Sequence, residues 1–154
     1  MALNPKHYRV ILMRELKKLH EEVVAYPNEA SLWRAVPGLT NPGGNLAIHL
    51  IGNLNFYIGA ALGQTGYERD KTHELSVREV PRTEILELIE GLMRLLPSIL
   101  DNLPKEMLER DFPLALEGKI FPTELILHHV MVHFGYHLGQ INYHRRMVGA
   151  GLNS

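Results

Sequence analysis

Apolar residues recur at helical spacing in four long segments of this chain, and no segment shows the alternation that is typical of a strand. The first segment runs from Pro5 to about Tyr26 and is closed by Pro27. One side of it carries a stripe of four apolar residues, Leu12, Leu16, Leu19 and Val23. This spacing predicts an amphipathic helix whose stripe faces the core.

The second segment runs from Pro42 to about Leu62 and is closed by Gly63. Its start has the form of a helix N-terminus, with Asn41 as the cap and Pro42 at the first helical position. Apolar residues lie on nearly all sides of this segment. A helix with that composition is buried in the core or in a subunit interface.

The third and fourth segments also have helical periodicity. The third runs from about Pro81 to Leu100, and Pro97 is expected to kink it or to end it early. The fourth opens at Pro122 and reaches about Val148, where glycines follow.

Two long connections separate these helices. Residues 64–80 are polar and rich in turn residues, and they either cross a bundle end or run along its side to a parallel neighbour. Residues 101–121 form the second, irregular connection, and a short helical turn is expected at residues 31–33. The predicted fold is therefore all-α: a four-helix bundle with a long crossover connection, forming a single domain over residues 1–154.

Composition excludes several classes of function. The absence of cysteine excludes disulfides, thiolate nucleophiles, iron–sulfur clusters and cysteine-ligated zinc. A net charge of −1 without a basic stripe argues against a nucleic-acid partner. No apolar run reaches membrane-spanning length, and Arg14 and Lys17 interrupt the apolar residues near the N-terminus, where a signal peptide would need a longer run. A cytoplasmic protein without membrane contact is expected.

Histidines form the candidate chemistry of the fourth helix. His129, His133 and His137 follow one another at i, i+4 spacing, which places neighbouring Cβ atoms about 5–6 Å apart. Apolar residues such as Ile126 and Val130 border this row, so the row is expected to face the core. Buried imidazoles need a partner for each ring nitrogen, and a shared metal ion is one solution. The alternative is that these histidines bond to backbone or water at the helix edges.

His49 lies in the middle of the apolar second helix, with Asn45 four residues before it and Asn53 four residues after it. A polar row on an apolar helix costs stability unless it has a use, either in a metal site or in a hydrogen-bonded core network. A three-histidine metal site would leave an open coordination position, as catalytic zinc sites do. His-Glu-x-x-His and Glu-x-x-His are absent from the chain, so a zincin protease and a ferritin-like di-iron site are not supported.

The segment from His133 to Gln140 has the form His-x-x-x-His-x-Gly-Gln. Leu32-Trp33 and a Pro37-Gly38 turn precede the helix that carries His49. In these features, over nearly the whole chain, the sequence resembles the DinB/YfiT-like superfamily, whose members are described as metal-dependent hydrolases.

The resemblance implies a four-helix bundle that is usually a homodimer, with His49, His133 and His137 binding a divalent metal near one end of the bundle. Zinc or nickel is the first expectation for the metal, and iron and manganese also suit imidazole ligands. Characterised relatives include thiol S-transferases that use bacillithiol or mycothiol, and a mycothiol-dependent maleylpyruvate isomerase. The expected function is therefore a metal-dependent enzyme, a thiol S-transferase or a hydrolase, acting on a small molecule.

Other interpretations remain open at this point. The chain is alternatively a non-enzymatic metal-binding or stress-associated homodimer, or a bundle without metal whose histidines form core hydrogen bonds. Two further residues are candidates for supporting roles. Gln140 is expected to orient a ligand or to fix the end of the helix, and His129 is expected to be a fourth ligand, a proton shuttle or a bystander.

Overall fold

The computed structural model of the protein describes residues 4–151; residues 1–3 and 152–154 of the predicted domain lie outside this range. It contains six α-helices: α1 (Pro5–Val24), α2 (Glu29–Leu32), α3 (Gly43–Leu54), α4 (Lys71–Ser76), α5 (Arg82–Leu100) and α6 (Thr123–Gly149). A π-helical segment, Asn55–Ala60, continues α3, and a 3-10 turn covers Lys105–Leu108. Residues 4–151 contain no strand, so the all-α prediction is confirmed. None of the helices in this range is both long enough and apolar enough to cross a bilayer.

Local sequence explains how α1 forms. Pro5 occupies its first turn, where a missing N–H costs nothing, and the Asn4 side chain caps the helix by accepting from the Lys6 N–H at 3.1 Å. The predicted stripe is confirmed, because all four of its side chains are at most 1% exposed: Leu12, Leu16, Leu19 and Val23.

Helices of the same chain cover the apolar surface of α3. It begins at Gly43, one residue later than predicted, with Pro42 rather than Asn41 as the cap. Nearly all of its residues are buried, and it packs mainly against α6 and α4. Its apolar surface therefore needs no second subunit, and dimerisation remains a prediction that rests on the family resemblance alone.

Two local expectations differ from the structure. The α5 helix continues past Pro97 to Leu100, and the Asp101 N–H still donates to the Pro97 carbonyl at 2.9 Å. Proline lies so close to the helix end that the one hydrogen bond it removes does not stop the helix. The connection after α3 is not wholly irregular, since it contains α4, which the Asp70 side chain caps through the His73 N–H at 2.9 Å.

Polar contacts show the direction of α5 relative to α1. Arg9, near the start of α1, pairs with Asp101 after the end of α5, at 2.8 Å. His20, near the end of α1, lies 3.2 Å from Glu90 in the first half of α5. The two helices are therefore antiparallel.

Polar contacts likewise show that α3 and α6 are antiparallel. The Gly43 N–H at the start of α3 donates to His144, near the end of α6, at 3.3 Å. Six residues further along α3, the His49 ring lies 3.1 Å from the ring of His133, in the first half of α6. The order of these contacts runs in opposite directions along the two helices.

The π-helical continuation of α3 packs against α5 in a parallel sense. Gly59 faces Leu95, and Gly63 faces Ile99 so closely that a Cβ at Gly63 would overlap the isoleucine side chain. Contacts that advance in the same direction on both elements require parallel axes. The continuation of α3 and the second half of α5 therefore run in the same direction.

His144 joins three segments in the core. Its Nε2 donates to the Arg34 carbonyl at 2.8 Å, so the neutral ring accepts through Nδ1. Nδ1 lies 2.8 Å from the Tyr26 hydroxyl and 3.3 Å from the Gly43 N–H. Burial lowers the pKa of His144, which keeps this fully buried ring uncharged at neutral pH. This histidine has a structural role.

Gly43→Ala is expected to reduce the free energy of unfolding by about 1–3 kcal/mol. A Cβ there would overlap the Tyr26 hydroxyl and lie 3.0 Å from His144 Nδ1. Gly91→Ala in α5 is the control, since a Cβ at Gly91 meets nothing within 4 Å, and it should stabilise the protein by about 0.5–1 kcal/mol. Urea denaturation measures both changes. Equal effects of the two substitutions would contradict the packing at Gly43.

The free energy of unfolding of the metal-free protein is expected to decrease as the pH falls below about 6.5, the ordinary histidine pKa. Because the folded-state pKa of His144 is lowered, the unfolded chain binds protons that the folded chain does not. The contribution of His144 to folding stability is complete above the ordinary histidine pKa. It is lost progressively as the pH falls from that value to the lowered pKa of the folded state. His144→Gln should reduce this slope, because it removes the buried group that binds a proton only after unfolding. Urea denaturation at a series of pH values tests this, and an unchanged slope in His144→Gln would refute it.

Candidate metal centre

Three histidine side chains converge between α3 and α6. His49 Nε2 lies 3.1 Å from His133 Nε2, and one ring nitrogen from each of His49, His133 and His137 lies within 4.8 Å of the other two. The rings meet edge to face, with centroids 4.5–5.0 Å apart. The structure therefore brings together the three predicted residues. They lie midway along both helices, whereas the resemblance implies a position near one end.

The cluster is closed on one side and open on the other. His49 is buried, with 6% of its surface exposed, whereas His133 and His137 are half-buried. Within residues 4–151 no cysteine, aspartate or glutamate joins these histidines as a further ligand group. A cation held by three imidazoles here would keep at least one coordination position on the open side.

Glu74 supports the cluster from behind, and sequence reasoning did not identify it. This residue of α4 is 3% exposed, and its Oε2 accepts from His49 Nδ1 at 2.9 Å. Arg69 binds the same carboxylate twice, through Nε to Oε1 at 2.8 Å and through Nη2 to Oε2 at 3.0 Å. The sequence gives little indication of this role, because Glu74 and Arg69 lie in a polar connection where no periodicity marks a buried side chain.

The carboxylate of Glu74 sets the tautomer of His49. Burial by itself would raise the pKa of Glu74, but hydrogen bonds from His49 and Arg69, together with the Arg69 charge, hold that pKa below its ordinary value. An ionised carboxylate only accepts hydrogen bonds, so His49 Nδ1 carries the proton. In the neutral ring, which is the form that binds a metal, the lone pair of His49 is then on Nε2, 3.1 Å from His133 Nε2. Carboxylate–histidine pairs of this kind orient metal ligands in many proteins.

Gln140 sets the tautomer of His137. Its Oε1 lies 2.6 Å from His137 Nδ1. An amide oxygen only accepts, so the proton of the neutral ring lies on Nδ1 and the lone pair lies on Nε2. Because α6 continues to Gly149, Gln140 does not end the helix. Of its two predicted roles, the orientation of a ligand agrees with the structure.

His133 completes the set of lone pairs. Burial, strengthened by the neighbouring His137 and His49 rings, lowers the pKa of His133 to about 4, so the ring is neutral at pH 7. Its Nδ1 is buried without a hydrogen-bond partner. His49 and His137 each offer an acceptor nitrogen, and the single N–H of a neutral His133 satisfies at most one of them.

A cation accepts electron density from all three rings at once. Two nitrogens that each lie about 2.0–2.1 Å from one zinc ion are about 2.8–3.4 Å apart for bond angles between 90° and tetrahedral. The His49–His133 separation of 3.1 Å lies in that range. The residues present therefore fit a divalent metal ion.

His129 is not part of the cluster. It is exposed, and its ring centroid lies 6.0 Å from that of His133. The expectation that the whole histidine row faces the core is wrong at this position. An i, i+4 row drifts by about 40° around the helix at each step, and on α6 this drift leaves His129 on the exposed side of the row.

The chain was compared with known proteins in two ways. No protein-family model matches it, and no curated protein matches it. The case for a metal centre therefore depends on the distances, burial and hydrogen bonds of the chain itself.

Gly52→Ala is expected to weaken divalent-metal binding about 10–100-fold, the usual effect of losing the partner of a ligand. A Cβ at Gly52 would overlap Glu74 Oε1 and push the carboxylate away from His49. Gly139→Ala in α6 is the control, because a Cβ there meets nothing within 4 Å. Competition with a chromophoric chelator measures the affinity of both variants for zinc. A folded Gly52→Ala protein with full affinity would show that Glu74 does not orient His49.

Proposed function

We propose that the chain is a DinB-like metal-dependent enzyme that acts on a small molecule, as a thiol S-transferase or a hydrolase. One observation carries this proposal: three histidine side chains, one buried and two half-buried, bring a ring nitrogen each to within 4.8 Å of the others. Two of them, His49 and His137, are oriented by Glu74 and Gln140. Oriented neutral ligands around an open position are typical of catalytic metal sites.

The architecture proposed for this function is a four-helix bundle with a long crossover connection. Its support is the packing of the long helices, in which α1 lies mainly against α5 and α6, and α3 lies mainly against α6. The parallel arrangement of α5 and the continuation of α3 agrees with a crossover along the side. Together with the His-x-x-x-His-x-Gly-Gln motif, this packing supports membership of the DinB/YfiT-like superfamily, including its usual homodimer.

In this proposal His49, His133 and His137 hold a single divalent ion, zinc or nickel first, with iron and manganese as alternatives. When bound, such an ion lowers the pKa of a coordinated water or thiol, so that the nucleophilic anion exists at neutral pH. Three neutral imidazoles cancel none of the positive charge. Glu74 contacts His49 rather than the ion position, and the Arg69 guanidinium balances the charge of the Glu74 carboxylate.

The open side of the cluster favours an enzyme over the non-enzymatic alternative. A structural metal site is closed by four protein ligands, whereas the described residues supply three. The half-buried edges of His133 and His137 leave room for water or for a low-molecular-weight thiol. The small-molecule substrate would approach from the same side.

Protein purified without a histidine tag is expected to contain about one equivalent of a divalent metal by mass spectrometry. His133→Ala and His137→Ala should each lose it, because two imidazoles hold an ion far more weakly than three. His129→Ala is the matched control from the same helix and should keep full metal content. Full stoichiometry in the His133 and His137 variants, or a metal-free wild type that does not take up zinc, would contradict the proposal.

A further inference from the structure

A cavity of about 600 Å³ opens beside the histidine cluster. Its walls come from the π-helical segment, the loop at residues 115–121 and the first turns of α6. The residues that line it include Tyr57, Leu116, Phe121, Ile126 and His129, together with the oppositely charged Glu117 and Lys119 of the loop. The volume lies within the range of about 300–1,000 Å³ that is usual for small-molecule sites.

His129 connects this cavity to the metal ligands. Its exposed ring lines the cavity, and its centroid is 6.0 Å from the ring of His133, with the two planes tilted by 31°. Ile126, a further turn toward the start of α6, also lines the cavity. On the opposite helix, Tyr57 lies about two turns beyond His49. His129 therefore lies both on the wall of the cavity and next to a member of the cluster.

The loop wall of this cavity is held in a definite conformation. Leu116 and Lys119 exchange backbone hydrogen bonds of 2.8 and 2.9 Å, and the Phe112 N–H donates to the Phe121 carbonyl at 2.8 Å. The ring of Phe112 also packs on Tyr57, with centroids 6.1 Å apart. A wall with these contacts is a preformed surface for a ligand.

The chemical character of the lining side chains changes across the cavity. Aromatic and aliphatic side chains surround the body of the cavity, and charged side chains enter from the exposed loop. His129 lies on the wall that is nearest to His133. A ligand that fills the space would bury an apolar body there and place a polar end at the imidazoles.

We propose that this cavity is the substrate pocket of the metal centre, and that it selects small molecules with an aromatic or alkyl body and one metal-ligating, anionic end. The inference rests on the proposed function, because the ion supplies the partner for the anionic end. His129 lies beside that end as a hydrogen-bonding and specificity-determining residue, not as a metal ligand.

The test compares two probes with the same metal-binding group on zinc-loaded protein. Phenylacetohydroxamic acid carries an aromatic body, and acetohydroxamic acid lacks it. Isothermal titration calorimetry should show that the phenyl compound binds at least about tenfold more tightly, because its ring is buried in the cavity. Phe121→Ala and Leu116→Asp should each remove most of this preference, with zinc content and acetohydroxamic acid affinity unchanged.

Leu103→Ala is the matched control, since it removes an apolar side chain from a different cavity of about 520 Å³ and should preserve the preference. Equal binding of the two probes to a zinc-loaded wild type would overturn the pocket assignment and leave the metal centre intact. Equal affinity of the phenyl compound for zinc-free and zinc-loaded protein would also overturn it, since the ion would then not contribute to recognition. Failure of the wild type to bind zinc would instead refute the proposed function itself.

Discussion

The carboxylate of Glu74, held between Arg69 and His49, joins the segment between α3 and α5 to the helix α3. A buried charge is costly, and removing one partner of such a pair typically costs about 3–5 kcal/mol, so each member depends on the others. Asn45 adds to this link, because its side-chain amide donates to the Glu74 and Val77 carbonyls at 3.1 and 2.8 Å. The polar side chains of α3 therefore bind the segment between α3 and α5 to that helix. Glu74 of this segment in turn orients His49, a candidate metal ligand.

The histidines of α6 divide between structure and chemistry according to the direction in which the helix points them. His144 faces the core and finds a protein partner for each ring nitrogen. His133 and His137 face α3 and leave acceptor nitrogens that other protein groups do not fully satisfy. His129 faces the edge of a cavity. One helix thus supplies a core hydrogen-bonding group, two metal-ligand candidates and a residue of a neighbouring pocket, and the difference lies in rotation and surroundings.

Sequence reasoning succeeded where the information is local. The helical repeat of α1 and the i, i+4 spacing of His133 and His137 are properties of a single helix, and both agree with the structure. It failed where the information is tertiary. The burial of Glu74 depends on where a polar segment folds back, and the role of Gly52 depends on the side chain that approaches it. The proximity of His49 to the α6 histidines was expected only through the family motif, because periodicity does not identify a partner helix.

The π-helical segment after α3 has a further consequence. An extra residue per turn changes the angular phase of everything that follows by about 100° relative to a continuous α-helix. His49 precedes this change and keeps its phase with α6, whereas Tyr57 lies inside it and Gly63 lies beyond it. The side chains before and after this change therefore face different directions than they would in a continuous α-helix. The first part carries His49, and the second part lines the cavity and contacts α5. An insertion or deletion of one residue between them would rotate the second part without turning His49 away from its partners.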